Sequence, residues 1–178
     1  FIGGGYGGNY LTDGLINGNP TLAVARTQAL EIFESHYPVL FRQYAIREGS
    51  GGAGRRRGGL GVVFEFELRQ GDASASLLGD RGRFQPFGVF GGKPAQLARH
   101  QFVLGGREYT PEHLTKDEGV PMVAGDSLRL ETPGGGGFGE PGERSPEAVA
   151  EDVKLGYYDR QTAEKEYGVV VDPVQYKP

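Results

Sequence analysis

Apolar and polar residues alternate along residues 60–69: Val63, Glu65, Glu67 and Arg69 take one parity, and Phe64, Phe66 and Leu68 the other. A period of two puts these sets on opposite faces of a pleated strand, one buried and one wet. Residues 39–48 alternate less strictly, with Val39 and Phe41 on one face and Arg42, Arg47 and Glu48 among the polar positions. They read as a second strand. The connection between the two is too long for a tight turn, so the pattern predicts a hairpin with an insertion at its tip. Further short strands are predicted over residues 74–78, 101–104, 107–109, 120–124 and 127–132. Gly105-Gly106 marks a tight hairpin, and Gly125-Asp126 a second turn.

Helical spacing shows in two places. Ala29, Leu30, Ile32 and Phe33, with Glu31 and Glu34 outward, predict a short helix over Ala25–Ser35 that ends before Pro38. Near the other end, Ser145 is an N-cap residue, Pro146 suits the first helical position and Glu147 the first turn. Val149 and Val153 lie four apart, and Gly156 is placed to cap the C-terminus. Asp159 caps a second predicted helix that runs through Tyr167 to Gly168, and Val169–Val171 return as a strand or clip. The sum is an α+β chain: residues 1–38 form a loop and short helix, 39–132 a β-rich core, and 133–178 a glycine loop and helical tail.

Composition changes this picture in one respect. Glycine supplies 32 of the 178 residues, well above the usual ~7%. It clusters in residues 3–8, in the stretch Gly49-Ser-Gly-Gly-Ala-Gly-Arg-Arg-Arg-Gly-Gly-Leu-Gly61, and in Gly134–Gly137. No three-residue repeat runs through it, which excludes collagen. A net charge of −4 is a poor start for a nucleic-acid binder, so no nucleic-acid partner is expected. No 18-residue apolar run and no signal peptide are present, so no membrane association is expected, and the absence of cysteine fits a cytoplasmic protein. Phe1 opens in the middle of a glycine-rich phrase, which reads as an internal cut in a longer chain.

The candidate chemistry is sparse, and no catalytic residue is assigned. His36, His100 and His113 are far apart in sequence and carry no metal-ligand spacing, so no metal ligand is expected in this segment. No Gly-x-Ser-x-Gly elbow occurs. Asp80 and Asp126 read as turn acids. Gly134–Gly137 lack the lysine and Ser/Thr of a P-loop, and the next helix starts some way beyond them, so close backbone packing is the favoured reading. Gly51, Gly52, Gly54, Gly58 and Gly59 read the same way. Arg55, Arg56 and Arg57 alternate in direction if extended and do not easily grip one ligand. Anion or interface binding and a solvated hairpin tip both remain open for them.

Three phrases in order go beyond composition: Gly49–Val63, Phe87-Gly-Val-Phe-Gly-Gly92 and Thr132-Pro-Gly-Gly-Gly-Gly-Phe-Gly-Glu-Pro141. With Ser145-Pro-Glu-Ala-Val149, Asp152-Val-Lys-Leu-Gly-Tyr157, Tyr167-Gly-Val-Val170, Tyr37-Pro38 and Gly3–Gly5, they resemble the C-terminal part of the hydantoinase B/5-oxoprolinase family. The resemblance covers nearly the whole chain. It implies a hetero-oligomer in which the B-type subunit works with a hydantoinase A-type, ATP-binding subunit to phosphorylate and open a cyclic amide. ATP and Mg are then expected on that partner, and a divalent metal in the N-terminal part of the B-type subunit, with no cofactor in this segment. Acetone and acetophenone carboxylase subunits are similar to the same family, which leaves an ATP-dependent carboxylase as the alternative. A non-catalytic, subunit-docking scaffold is the local role expected of these residues. Arg26, Glu31 and Glu34 fit the family pattern, and Arg26 joins the anion or interface candidates. The stretch Thr21–Arg26 lacks the His/Thr/Asn-rich phrase often found there; if that phrase touches substrate in relatives, a different substrate or reaction is expected here.

Overall fold

The computed structural model describes residues 2–18 and 29–172. Among these residues, seven strands and three α-helices follow one another: α1 (Leu30–His36), β1 (Val39–Ile46), β2 (Val62–Leu68), β3 (Asp72–Leu78), β4 (Arg99–Leu104), β5 (Arg107–Tyr109), β6 (Lys116–Val123), β7 (Ser127–Glu131), α2 (Pro146–Lys154) and α3 (Arg160–Tyr167). The fold is α+β, as the pattern predicts. Five strands form one antiparallel sheet in the order β1-β2-β7-β4-β5, and β3 pairs with β6 as a separate two-stranded sheet.

The alternation along β2 sets the two faces of the main sheet. Phe66 and Leu68 join Phe102 and Leu128 in one core, closed from the other side by Leu77, Val120 and Met122 of the two-stranded sheet. Burying one of these side chains contributes about 1.5–3 kcal/mol. On the opposite face Glu65 stands across from Arg129, whose guanidinium reaches it at 2.6 Å. Toward the β1 edge, Phe33 of α1 lies 5.7 Å from Phe41, which in turn lies 4.8 Å from Phe64. The first four residues of the predicted α1, 25–28, lie outside the described residues.

β6 starts four residues before the predicted 120–124 strand. Its first half, Lys116-Asp-Glu-Gly, is polar, and Gly119 sits at φ +68° beside a break in register against Ala75 and Leu77. The bulge spoils the period-two signal there. Val169–Val171 form no strand, although Val171 is buried against α3 in a second core with Val149, Tyr158, Ala163 and Tyr167. Both helix caps take the predicted form. Ser145 Oγ accepts from Ala148 N at 3.3 Å, and Asp159 Oδ1 accepts from Thr162 N at 2.7 Å.

Candidate functional site

Between the sheet and the helical tail, the glycine-rich segments interlock through their backbones. Residues 133–138 run through the middle. Gly135 N donates to Gly59 O at 2.9 Å, and Gly135 O accepts from Gly52 N at 2.9 Å. Gly8 N reaches Gly136 O at 2.9 Å, and Gly137 N reaches Lys93 O at 3.0 Å. Arg56 and Phe138 exchange N–H···O bonds of 2.9 Å in both directions. Four segments distant in sequence therefore satisfy one another's peptide groups without forming a regular sheet.

The reason for glycine here is the missing Cβ. None of Gly51, Gly52, Gly54, Gly58, Gly59 or Gly134–Gly137 has positive φ. A Cβ on Gly58 would overlap the Gly135 carbonyl, and one on Gly135 would overlap the Tyr6 carbonyl. The backbones lie too close for any side chain between them.

The three arginines of the loop diverge. Arg56 points to solvent. Arg55 is half-buried, with its guanidinium carbon 5.9 Å from the ring centroids of both Tyr10 and Phe138 and a nitrogen 3.8 Å from Glu143. Arg57 turns inward, so it is not part of a solvated tip. Only 7% exposed, it stacks 4.4 Å over Tyr157, and its Nε donates to Asp152 Oδ1 at 3.1 Å. Arg26 lies outside the described residues.

Asp152 is the hub of a buried charge network. Besides Arg57, its carboxylate accepts from Arg144 at 2.7 Å and from the Tyr158 hydroxyl at 3.0 Å. Arg144 grips both Asp13 oxygens, at 2.8 and 2.9 Å, and Asp13 Oδ1 also accepts from Arg57 N at 2.9 Å. Two arginines and two aspartates thus tie the N-terminal loop, the glycine–arginine loop and α2 together. Burial alone would raise the Asp13 pKa, but the hydrogen bond and charge of Arg144, with Arg57 behind them, hold it below the usual carboxylate range. Burial works against the Arg144 charge, yet the bond to Asp13 and the charges of Asp152 and Asp13 push its pKa up. Burial, chiefly, pushes the Tyr158 hydroxyl up as well.

Asp13, Arg144, Asp152 and Tyr158 were not among the residues singled out from the sequence as candidates. Asp152 did leave a trace. It lies three residues from Val149 on the buried stripe of α2, where an unpaired acid would be costly. Its partners are 95 and 8 residues away in sequence, a juxtaposition that only the fold supplies.

The remaining candidates separate in space and role. His36 and His113 are exposed, and His100 is buried on β4, where desolvation lowers its pKa against a bond to the Thr115 backbone. Asp80 pairs with Lys116 at 2.9 Å. Asp126 accepts from Gly105 N at 2.7 Å and Val123 N at 2.8 Å, fixing two turns as a turn acid does. No group of three His, Cys, Asp or Glu among the described residues comes together where a metal ion would be held. Beside the bundle runs a groove of about 380 Å3 whose lining includes Gly7, Gly8, Gly134, Gly136, Phe87 and Arg81.

A sequence profile of the family described as hydantoinase B/oxoprolinase matches residues 1–141, which include all four interlocked glycine segments. The chain belongs to the hydantoinase B/oxoprolinase family. The B-type subunit of a putative D-/L-hydantoinase from a Pseudomonas species is 30% identical over 94% of this chain and 28% of its own length. The ATP-dependent caprolactamase of Pseudomonas jessenii superposes with a TM-score of 0.81 and 29% identity, over 97% of this chain and 30% of that one. A nucleotide-free acetone carboxylase shares the fold, with a TM-score of 0.78 and 24% identity over 92% of this chain and 26% of that one. The chain therefore spans about a third or less of the relatives it matches. No helix among the described residues is long and apolar enough to cross a membrane.

Proposed function

We propose that these residues are the C-terminal segment of the B-type subunit of an ATP-dependent, cytoplasmic cyclic-amide hydrolase of the hydantoinase/5-oxoprolinase type. Within it, the segment serves as a rigid scaffold that docks other parts of the enzyme. Family membership supports the reaction class, and the names of two relatives, a B-type hydantoinase subunit and an ATP-dependent caprolactamase, agree with it. One relative is named as a subunit, which supports an assembly; we take its partner to be an A-type, ATP-binding subunit that holds ATP and Mg. We assign a divalent metal to the remainder of the B-type subunit on the family resemblance; among the described residues no three His, Cys, Asp or Glu side chains gather into a ligand set. No chemical step is routed through these residues.

The observation that carries the scaffold reading is the Asp152 network. Its four charged groups find opposite charge within 3.1 Å inside the chain, and they hold loops together instead of presenting a nucleophile or base. Arg55 and Arg56 remain accessible, and we assign them to the interface.

The reaction class is tested on the complete enzyme, given ATP with a hydantoin or lactam, or ATP with a ketone and bicarbonate. Phosphate release coupled to ring opening is expected. Release with ketone and bicarbonate alone would overturn the hydrolase reading in favour of the carboxylase.

A further inference from the structure

Along residues 134–137, the N–H groups divide by position. Those of Gly135 and Gly137 are bonded within the bundle, to Gly59 O and Lys93 O. Those of Gly134 and Gly136 make no hydrogen bond among the described residues, although both residues are buried and line the groove. The N–H of Gly7, an exposed residue on the rim of the same groove, is also without a bond among the described residues. Buried peptide N–H groups are nearly always satisfied, by protein, water or ligand.

The groove's charged side chain points the same way. Arg81 lines it, and no Asp or Glu does. The neighbouring acid, Asp80, is occupied by Lys116, and no ion pair to Arg81 forms among the described residues. Arg81 also stands at φ +64°, a conformation that costs a non-glycine residue about 1 kcal/mol or more, and its carbonyl is fixed there by Ala98 N at 2.9 Å. An arginine with no ion pair among the described residues therefore lines the same groove as peptide donors with no acceptor there, in a chain whose net charge is −4. Such a set of donors suits an anion with several acceptor oxygens.

We propose that this groove binds a small oxyanion, phosphate or carboxylate, between the Arg81 guanidinium and the N–H groups of Gly7, Gly134 and Gly136. The site is inferred from these donors alone; only the source of the anion rests on the hydrolase reading. In that reaction, ATP is cleaved to ADP and phosphate, and addition of water across the ring's amide C–N bond gives one open-chain product that carries a carboxylate.

The test titrates the isotopically labelled chain with inorganic phosphate in one arm and acetate in the other, at constant ionic strength set with chloride. Amide resonances are followed by NMR. The Gly7, Gly134 and Gly136 amides are expected to shift and saturate. Saturation by phosphate at lower concentration assigns phosphate, and the reverse order assigns a carboxylate. Arg81→Gly suits the left-handed backbone and removes only the side chain; it is expected to weaken binding roughly tenfold or more. Arg83→Ala removes the same charge from the same loop and is expected to change binding less than about twofold. Groove amides that stay still or fail to saturate with both anions would overturn the site, as would equal weakening by Arg83→Ala and Arg81→Gly.

Discussion

Asp152→Asn tests the keystone of the fold. The substitution keeps the shape of a residue that is 4% exposed and removes the negative charge facing Arg57 and Arg144. Arg144 keeps Asp13, at 2.8 Å, but Arg57 loses the carboxylate it pairs with and keeps the Tyr157 ring, the Gly58 carbonyl 3.2 Å away and the more distant Asp13 charge. Removing one partner of a buried ion pair typically costs about 3–5 kcal/mol, because the surviving charge stays desolvated. For a chain of this length each kcal/mol lowers Tm by about 2–4 °C, so a fall of roughly 6–20 °C is expected. Near-UV circular dichroism is a suitable assay: the chain has no tryptophan, and Tyr158 stacks on Tyr167 with ring centroids 5.3 Å apart. Replacing Arg57 and Asp152 together by leucine leaves the Arg144–Asp13 pair intact and is expected to cost less than Asp152→Asn. A Tm change below about 2 °C, matching that of the exposed control Glu151→Gln, would refute the reasoning.

Other expectations follow from the same geometry. Gly58→Ala should cost at least about 3 kcal/mol in urea unfolding, since its Cβ would overlap backbone, whereas Gly142→Ala, with open space around it, should stay within about 0.5 kcal/mol. Asp159→Ala removes an N-cap and should cost about 1 kcal/mol, read as a lower urea midpoint. Asp13 titrates below its unfolded value, so its contribution is complete above about pH 4 and fades as pH falls below it; Asp13→Asn should flatten the acid limb of a stability–pH curve. Burial, opposed by Arg144 and assisted by Asp152, pushes the Tyr167 hydroxyl up to about 12. Its contribution is therefore complete below about pH 10 and is lost as pH rises through the folded value; Tyr167→Phe should flatten that alkaline limb.

Much of this architecture is written in local pattern. The parity of Phe64, Phe66 and Leu68 against Glu65 and Glu67 yields β2 and its two faces. Ser145, Pro146, Asp159 and Gly168 set the limits of α2 and α3, because capping depends on neighbours within one turn. The glycine phrases marked the family and pointed to close packing. Which glycine meets which could not be read, since the bonds from Gly52 to Gly135 and from Gly8 to Gly136 join segments some 80 and 130 residues apart and follow no period. The same holds for the charges. Arg57 could be weighed only with its sequence neighbours, so a tip exposed to solvent and an anion site stood level. Asp152 and Arg144, which decide where its charge goes, come from the tail.

The most direct test of the scaffold and docking role uses the complete B-type subunit and its A-type partner. Arg55→Glu/Arg56→Glu is compared with Arg56→Glu alone, which leaves the contacts of Arg55 with Tyr10 and Phe138 in place. Assembly is measured by analytical ultracentrifugation, and ATP-dependent ring opening is measured on the assembled fraction. Weakened assembly with normal turnover per assembled complex is the predicted result. Full assembly with a large loss of turnover would contradict it and place these arginines in the chemistry.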